Sequence, residues 1–168
     1  MSTFPIGLKT MTALAEFSVI NMTEITVRDA VFTDIDEIAY IEEECFSTPW
    51  SRKSVSDSFS HTPWHFFVAE VGGRVVGYGG VYLILDEGQI SNIAVLPAFR
   101  GKKIGFAILQ SIIELCRGEG CDRITLELRK SNTAAHALYS KCGFVDVGER
   151  PNFYSNPTEN AILMDKKL

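Results

Sequence analysis

The stretch from Ile90 to Leu109 (ISNIAVLPAFRGKKIGFAIL) constrains this chain more than any other part of it. It reads as a buried strand, a turn marked by Pro97, a basic glycine-containing loop, and a helix opening at about Ile104. A strand that feeds a cationic loop and a helix N-terminus is suited to holding phosphate. The loop N–H groups and the positive end of the helix dipole both point at the anion. Arg100, Lys102 and Lys103 add formal charge at the same place. A solvated turn bending on Gly101 has the same pattern. Two other phosphate loops are excluded: Lys103 is followed by Ile104, not by Ser or Thr as in a Walker loop, and Gly101 and Gly105 are too few for a Rossmann fingerprint.

A chain of 168 residues is most simply one domain with a sizeable core. Its 46% hydrophobic and 22% charged residues are ordinary for a globular fold. A net charge of −5 argues against a large nucleic-acid footprint and suits a basic protein or an amine as partner. No apolar run reaches the ~18 residues that a membrane span needs. Cys45, Cys116, Cys121 and Cys142 form no C-x-x-C pair, and His61, His65 and His136 do not fall at ligand spacing near them. No metal is expected; reduced thiols in a cytoplasmic protein are. The stretch from Met1 to Asn21 is mildly apolar, is interrupted by Lys9 and Glu16, and fits a signal peptide poorly. It is read as an extension ahead of a single domain, residues 22–168.

Periodicity sets the elements in order. A strand from Glu24 to Asp29 precedes a helix capped by Thr33 and running to about Cys45, with Asp34, Asp36 and Glu37 in its first turn. Arg52 to Phe59 forms a second, shorter helix. Trp64 to Val71 and Arg74 to Leu85 pair across Gly72-Gly73, and Gly77, Gly79 and Gly80 suggest a bulge or a close backbone approach. The next strand ends at Val95, and the helix from Ile104 to about Glu119 carries Ile104, Ile108, Ile112 and Leu115 on one side. Asp122 to Leu128 alternates Ile124, Leu126 and Leu128 against Thr125 and Glu127. Ser131 or Asn132 caps a helix to about Lys141. Strands from Phe144 to Glu149 and from Ala161 to Lys167 follow, separated by a loop from Arg150 to Asn160. This order predicts an α/β (α+β) fold: a mixed, mostly antiparallel sheet of about seven strands flanked by about four helices, with the phosphate loop after the middle strand.

The second half is more specific. Asn132, Ala135, Leu138, Tyr139, Gly143 and Phe144 form an Asn-x-x-Ala-x-x-Leu-Tyr-x-x-x-Gly-Phe run at a set distance after Arg100-Gly101-Lys102-Lys103-Ile104-Gly105. Together these blocks resemble the GNAT superfamily of N-acetyltransferases, whose acyl-CoA loop runs Arg/Gln-x-x-Gly-x-Gly/Ala. Lys103 stands where that family usually has its first Gly, and a positive φ there would cost a Lys on the order of 1 kcal/mol. Three details resemble the bacterial branch acting on the N-terminal alanine of a ribosomal protein: the run from Leu126 to Asn132, the run from Ser91 to Val95, and Pro49-Trp50-Ser51. The similarity covers Glu24 to Leu168.

The resemblance implies acetyl-CoA as co-substrate, no metal, and acyl transfer without a covalent enzyme intermediate. Ile93, Ala94 and Val95 would offer backbone groups to the acetyl-pantetheine arm, which lies along them like an extra strand. A Val95 N–H would polarise the thioester carbonyl. Arg100, Gly101, Lys102, Lys103, Ile104, Gly105 and Phe106 would cradle the pyrophosphate, and Asn132 would hydrogen-bond the cofactor. Glu127 would be the general base, directly or through water, and Tyr139 the acid that protonates the leaving thiolate. Trp50, Asn92 and Tyr154 are candidates for binding the acceptor. That acceptor would be the basic N-terminus of small-subunit ribosomal protein eighteen, met in the cytoplasm by a monomer or weak dimer without direct contact to nucleic acid or membrane.

Each residue also has a plainer reading. Glu127 fits a solvated strand face, Tyr139 a packed helix position, and Asn132 a helix cap. Lys102 and Lys103 suit a solvated surface; Trp50 and Tyr154 suit plugs over a core. Two other functions remain open: a lysine, polyamine or aminoglycoside acetyltransferase of the same fold, and a non-catalytic CoA-binding sensor.

Overall fold

Apolar spacing turns into two buried faces of one sheet. The computed structural model describes residues 24–61 and 63–168; the expected extension from Met1 to Asn21 lies outside them. The elements are β1 (Ile25–Asp29), a 3-10 turn (Phe32–Asp34), α1 (Ile35–Cys45), α2 (Arg52–Phe59), β2 (Trp64–Val71), β3 (Arg74–Ile84) and β4 (Glu87–Val95). A 3-10 turn (Pro97–Phe99), α3 (Ile104–Gly118), β5 (Arg123–Arg129), α4 (Thr133–Lys141), β6 (Val145–Tyr154) and β7 (Glu159–Lys167) complete the chain. The seven strands lie in the order β1-β2-β3-β4-β5-β7-β6. Every neighbouring pair is antiparallel except β4–β5. Ile35, Ile38 and Ile41 of α1 and Val55 of α2 pack on one face of the sheet, against Phe66, Val68, Tyr78 and Ala94. Ile104, Ile108 and Ile112 of α3, with Tyr139 of α4, pack on the other, against Ile124, Leu126 and Leu128. Among the described residues no helix is long and apolar enough to cross a membrane.

Two sequence signals in β3 and β4 position the site. A Cβ on Gly79 would stand 2.5 Å from Ile108 Cγ2, so glycine is what lets α3 lie this close to β3. One residue further, the β3–β4 register shifts: Gly80 faces Asn92 while Val81 faces Ile90, leaving Ser91 as the extra residue. This bulge bends β4, as extra residues in a ladder do. The parallel pairing of β4 with β5 runs from Glu87–Arg123 to Ile90–Leu126 and stops there, whereas β4 follows β3 to Val95 and β5 follows β7 to Arg129. The two central strands therefore splay apart past Ile90 and Leu126.

Two expectations are corrected. Thr33 does not cap α1 but lies in the preceding 3-10 turn. Asp34 takes over the ordering there: its carboxylate accepts from Val31 N–H (2.8 Å) and from both terminal nitrogens of Arg28 (2.7 and 2.9 Å). A charged acceptor with an Arg partner outcompetes a neutral hydroxyl. The expected loop from Arg150 to Asn160 is mostly strand, since β6 runs on to Tyr154 and pairs there with Glu159 of β7. The edge position explains it: among the described residues β6 pairs only with β7, so Pro151 can sit in it without depriving a second neighbour of an N–H.

Candidate active site

The open edge left by the splay is chemically defined. Leu96 N–H donates to Val76 C=O (2.9 Å), so by antiparallel alternation Ala94 also turns its main-chain groups to β3, while Ile93 and Val95 turn theirs into the gap. The Val95 carbonyl there accepts from Arg100 Nε (2.9 Å) and Cys45 Sγ (3.5 Å). Of the three residues expected to offer backbone to an extended ligand arm, Ile93 and Val95 are placed to do so; alternation spends the Ala94 groups on β3.

A groove of about 720 Å³ runs from this edge past the loop at residues 100–103 to the first turn of α3 and to α4. Gly101 (φ 77°) and Lys103 (φ 63°) both adopt the left-handed conformation. Lys103 is therefore in the strained state that glycine takes freely, at about 1–2 kcal/mol for an L-residue. It precedes Ile104, Gly105 and Phe106, whose N–H groups have no intrahelical partner and form an anion-attracting end. Ile104 is buried and Phe106 exposed, so Ile104 brings only its backbone to that end. The cations divide three ways. Lys103 lines the groove; Arg100 lines it with its side chain turned back to Val95 and Cys45; Lys102 lies over the Phe99 ring at 5.2 Å and outside the lining. Asn132 caps α4 by accepting from Ala135 N–H (3.1 Å), which leaves its amide N–H groups available at the groove wall.

On the far side of the splay are two further cavities, of about 480 and 700 Å³. Trp50, Asn92, Glu127 and Tyr154 line both of them. Tyr139 lines the smaller cavity and the groove alike, so it stands where the two meet. It is buried edge-to-face against Phe144, with ring centroids 5.7 Å apart. Its hydroxyl has no hydrogen-bond partner among the described residues, and burial raises its pKa, which keeps it protonated far beyond neutral pH. Glu127 projects from the β5 face opposite the core and pairs with Arg150 at 3.0 Å. Burial, and then the nearby Glu127 charge, push the Tyr154 phenol up as well, and Arg129 stacks on its ring at 4.5 Å. Trp50 packs edge-on against Trp64, centroids 5.4 Å apart.

Sequence reasoning passed over several residues that shape this side. Arg129 donates to the carbonyls of Ser155 (2.8 Å) and Pro157 (2.9 Å) and reaches Ser47 Oγ (3.4 Å), tying the β6–β7 turn to the α1–α2 loop. Nothing local in the sequence announces these distant partners. Glu42 is different. Four residues after Ile38, it falls on the apolar stripe of α1, and a carboxylate there was a legible signal of a buried polar network.

Residues 35–144 match the acetyltransferase (GNAT) family. A Bacillus subtilis protein with the provisional name [ribosomal protein bS18]-alanine N-acetyltransferase is 36% identical over 143 residues, covering 84% of this chain and 95% of its own. The [ribosomal protein bS18]-alanine N-acetyltransferase of Escherichia coli is 30% identical over 141 residues, 83% of this chain and 95% of its own. The crystal structure of the Escherichia coli ribosomal-protein-S18-alanine N-acetyltransferase superposes with a TM-score of 0.80 at 29% identity, over 86% of this chain and 94% of that one. Ard1 from Thermoplasma volcanium has the same score and identity, over 86% and 97%.

Proposed function

This chain belongs to the GNAT family of acetyltransferases, and on that premise we propose that it carries acetyl from acetyl-CoA to a protein N-terminal α-amine, with the N-terminal alanine of ribosomal protein bS18 as acceptor. The observation that carries the reading is the splay of β4 from β5. It leaves the main-chain groups of Ile93 and Val95 beside a groove that ends at a glycine-containing loop and a helix N-terminus, and it opens on the other side to Glu127. In this reading the acetyl-pantetheine arm pairs along Ile93 and Val95, and Lys103 with the α3 N-terminus faces the pyrophosphate. Asn132 donates to the cofactor from its cap position. The Val95 N–H stabilises the charge that grows on the thioester oxygen.

An α-amine titrates near 8, so at neutral pH most of it must lose a proton before it attacks. Glu127 takes that proton, directly or through one water, from the acceptor side. The amine nitrogen then bonds to the carbonyl carbon, the C–S bond breaks, and the departing thiolate takes its proton from Tyr139, while the nitrogen's surplus proton passes through water to restore the phenol. Trp50, Asn92 and Tyr154 form the walls around the acceptor. A ribosomal-protein acceptor sets the reaction in the cytoplasm.

A CoA-release assay with two acceptors tests the reading. A basic peptide beginning with free alanine should be turned over. The same peptide, blocked at its α-amine and carrying a free lysine, should not. Turnover of the second alone would move the activity to side-chain amines. Tight acetyl-CoA binding with neither reaction would favour a sensor.

A further inference from the structure

Behind the acceptor cavities lies a buried carboxylate that this mechanism does not use. Glu42 of α1 is 0% exposed, and three donors from three elements converge on it. Asn92 Nδ2 of β4 donates to Oε1 at 2.8 Å, Tyr78 OH of β3 donates to the same oxygen, and Trp50 N–H donates to Oε2 at 2.7 Å. Asn92 Nδ2 also donates to Tyr78 OH at 3.2 Å. A carboxylate here accepts only, so the nitrogen end of the Asn92 amide must face it. Both of its hydrogens are then engaged. The other end, Oδ1, has no hydrogen-bond partner among the described residues, and Asn92 lines both cavities that Glu127 lines.

We propose that Glu42 and Tyr78 lock the Asn92 amide so that its Oδ1 accepts a hydrogen bond from the acceptor amine, making Asn92 a substrate-orienting residue and Glu42 a positioning residue behind it. The inference deepens the function proposed above and rests on it. An amine keeps at least one N–H after giving its proton to Glu127. An acceptor fixed beside it holds that N–H and so aims the lone pair at the carbonyl carbon, which is how orientation lowers a barrier. With Oδ1 as the only free end of the amide, the cavity offers no donor there. An ester or ether oxygen, which has no N–H or O–H to give, is disfavoured at the same place. The same carboxylate holds the Trp50 backbone, so one buried group sets two walls of the cavity.

The test is acceptor kinetics on the alanine-started peptide for Asn92→Ala, Glu42→Gln and the double variant, with acetyl-CoA affinity and thermal melting measured alongside. Asn92→Ala should raise the acceptor KM about tenfold, the scale of one lost hydrogen bond, with acetyl-CoA affinity unchanged. Glu42→Gln can offer its own N–H to Asn92, so the Asn92 amide can turn over. It should raise the acceptor KM several-fold in the wild-type background and add little in the Asn92→Ala background. Should Glu42→Gln not fold, Tyr78→Phe takes its place, since it removes the second partner of Asn92 Nδ2 from the same network. An acceptor KM unmoved by Asn92→Ala overturns the proposal, as does a Glu42→Gln effect of equal size with and without Asn92. If the wild type turns over only the lysine-bearing peptide, the α-amine reading fails, and the same comparison on that amine decides the role of Asn92.

Discussion

The groove on the Val95 side and the cavities on the Glu127 side meet at Tyr139 but are made of different material. The groove takes a strand edge, a loop turned by two left-handed residues and the free N–H groups of one helix end from residues 93–106, and side chains of α4 and of the end of α1 close it. The cavities are walled by side chains from the α1–α2 loop, β4, β5 and β6, which meet only through contacts such as Arg129 with Ser155 and Glu42 with Asn92. Main-chain recognition tolerates substitution as long as backbone geometry is kept. Side-chain recognition depends on residue identity. In the proposed function this division gives the co-substrate a strand edge and a helix end, and the acceptor a wall of side chains.

That contrast can be broken residue by residue. The largest effect is expected from Glu127→Gln, which should lower turnover about 10²–10³-fold and leave acetyl-CoA affinity unchanged. The deficit should be greatest at low pH, where the amine is most protonated, and should shrink as pH rises past about 8; a deficit flat in pH would count against the base. Tyr139→Phe should slow turnover about 10²-fold, again without weakening acetyl-CoA binding, and should hardly move the melting temperature, since the hydroxyl has no partner among the described residues to lose. Because burial raises the Tyr139 pKa, its acid form persists above the ordinary tyrosine range. The wild-type rate should therefore climb as the amine deprotonates, with no descending limb below pH ~10. A limb falling at lower pH would point to another acid.

Changes on the groove side should act through geometry. Gly79→Ala forces α3 away from β3 and should cost about 1–3 kcal/mol in stability, with a weaker acetyl-CoA KM because the helix end moves with α3. Denaturant unfolding and the acetyl-CoA KM together would show whether the two losses travel as a pair. The smallest effect is expected from Lys103→Gly. It relieves the left-handed strain and should raise the melting temperature by roughly 2–4 °C, the equivalent of about 1 kcal/mol in a domain of this size. Acetyl-CoA affinity should survive it, because the α3 N–H groups remain. A collapse of binding would assign phosphate recognition to the Lys103 ammonium itself.

The corrected residues show what local reading can see. Arg150 and Pro151 looked like loop because composition cannot report that β7 waits alongside as a pairing partner. Thr33 had the chemistry of a cap, yet Asp34 prevailed through an Arg28 that only the strand β1 brings near. The close approach at Gly79 and the alternation in β5 were legible, since each is a property of a few consecutive residues and the backbone they prefer; the left-handed Lys103 was foreshadowed only by the Gly that the resembled family has at that place.

The sequence by itself determined most of the elements, the fold class and the basic loop ahead of α3, because spacing, turn chemistry and helix ends act over one to four residues. Tertiary structure alone decided that β4 leaves β5 at Ile90, that Tyr139 stands between groove and cavity, that Glu127 pairs with Arg150, and that Glu42 turns the Asn92 amide. Each of these joins residues far apart in the chain, and their energies exist only once the sheet has brought them within hydrogen-bond or ion-pair distance.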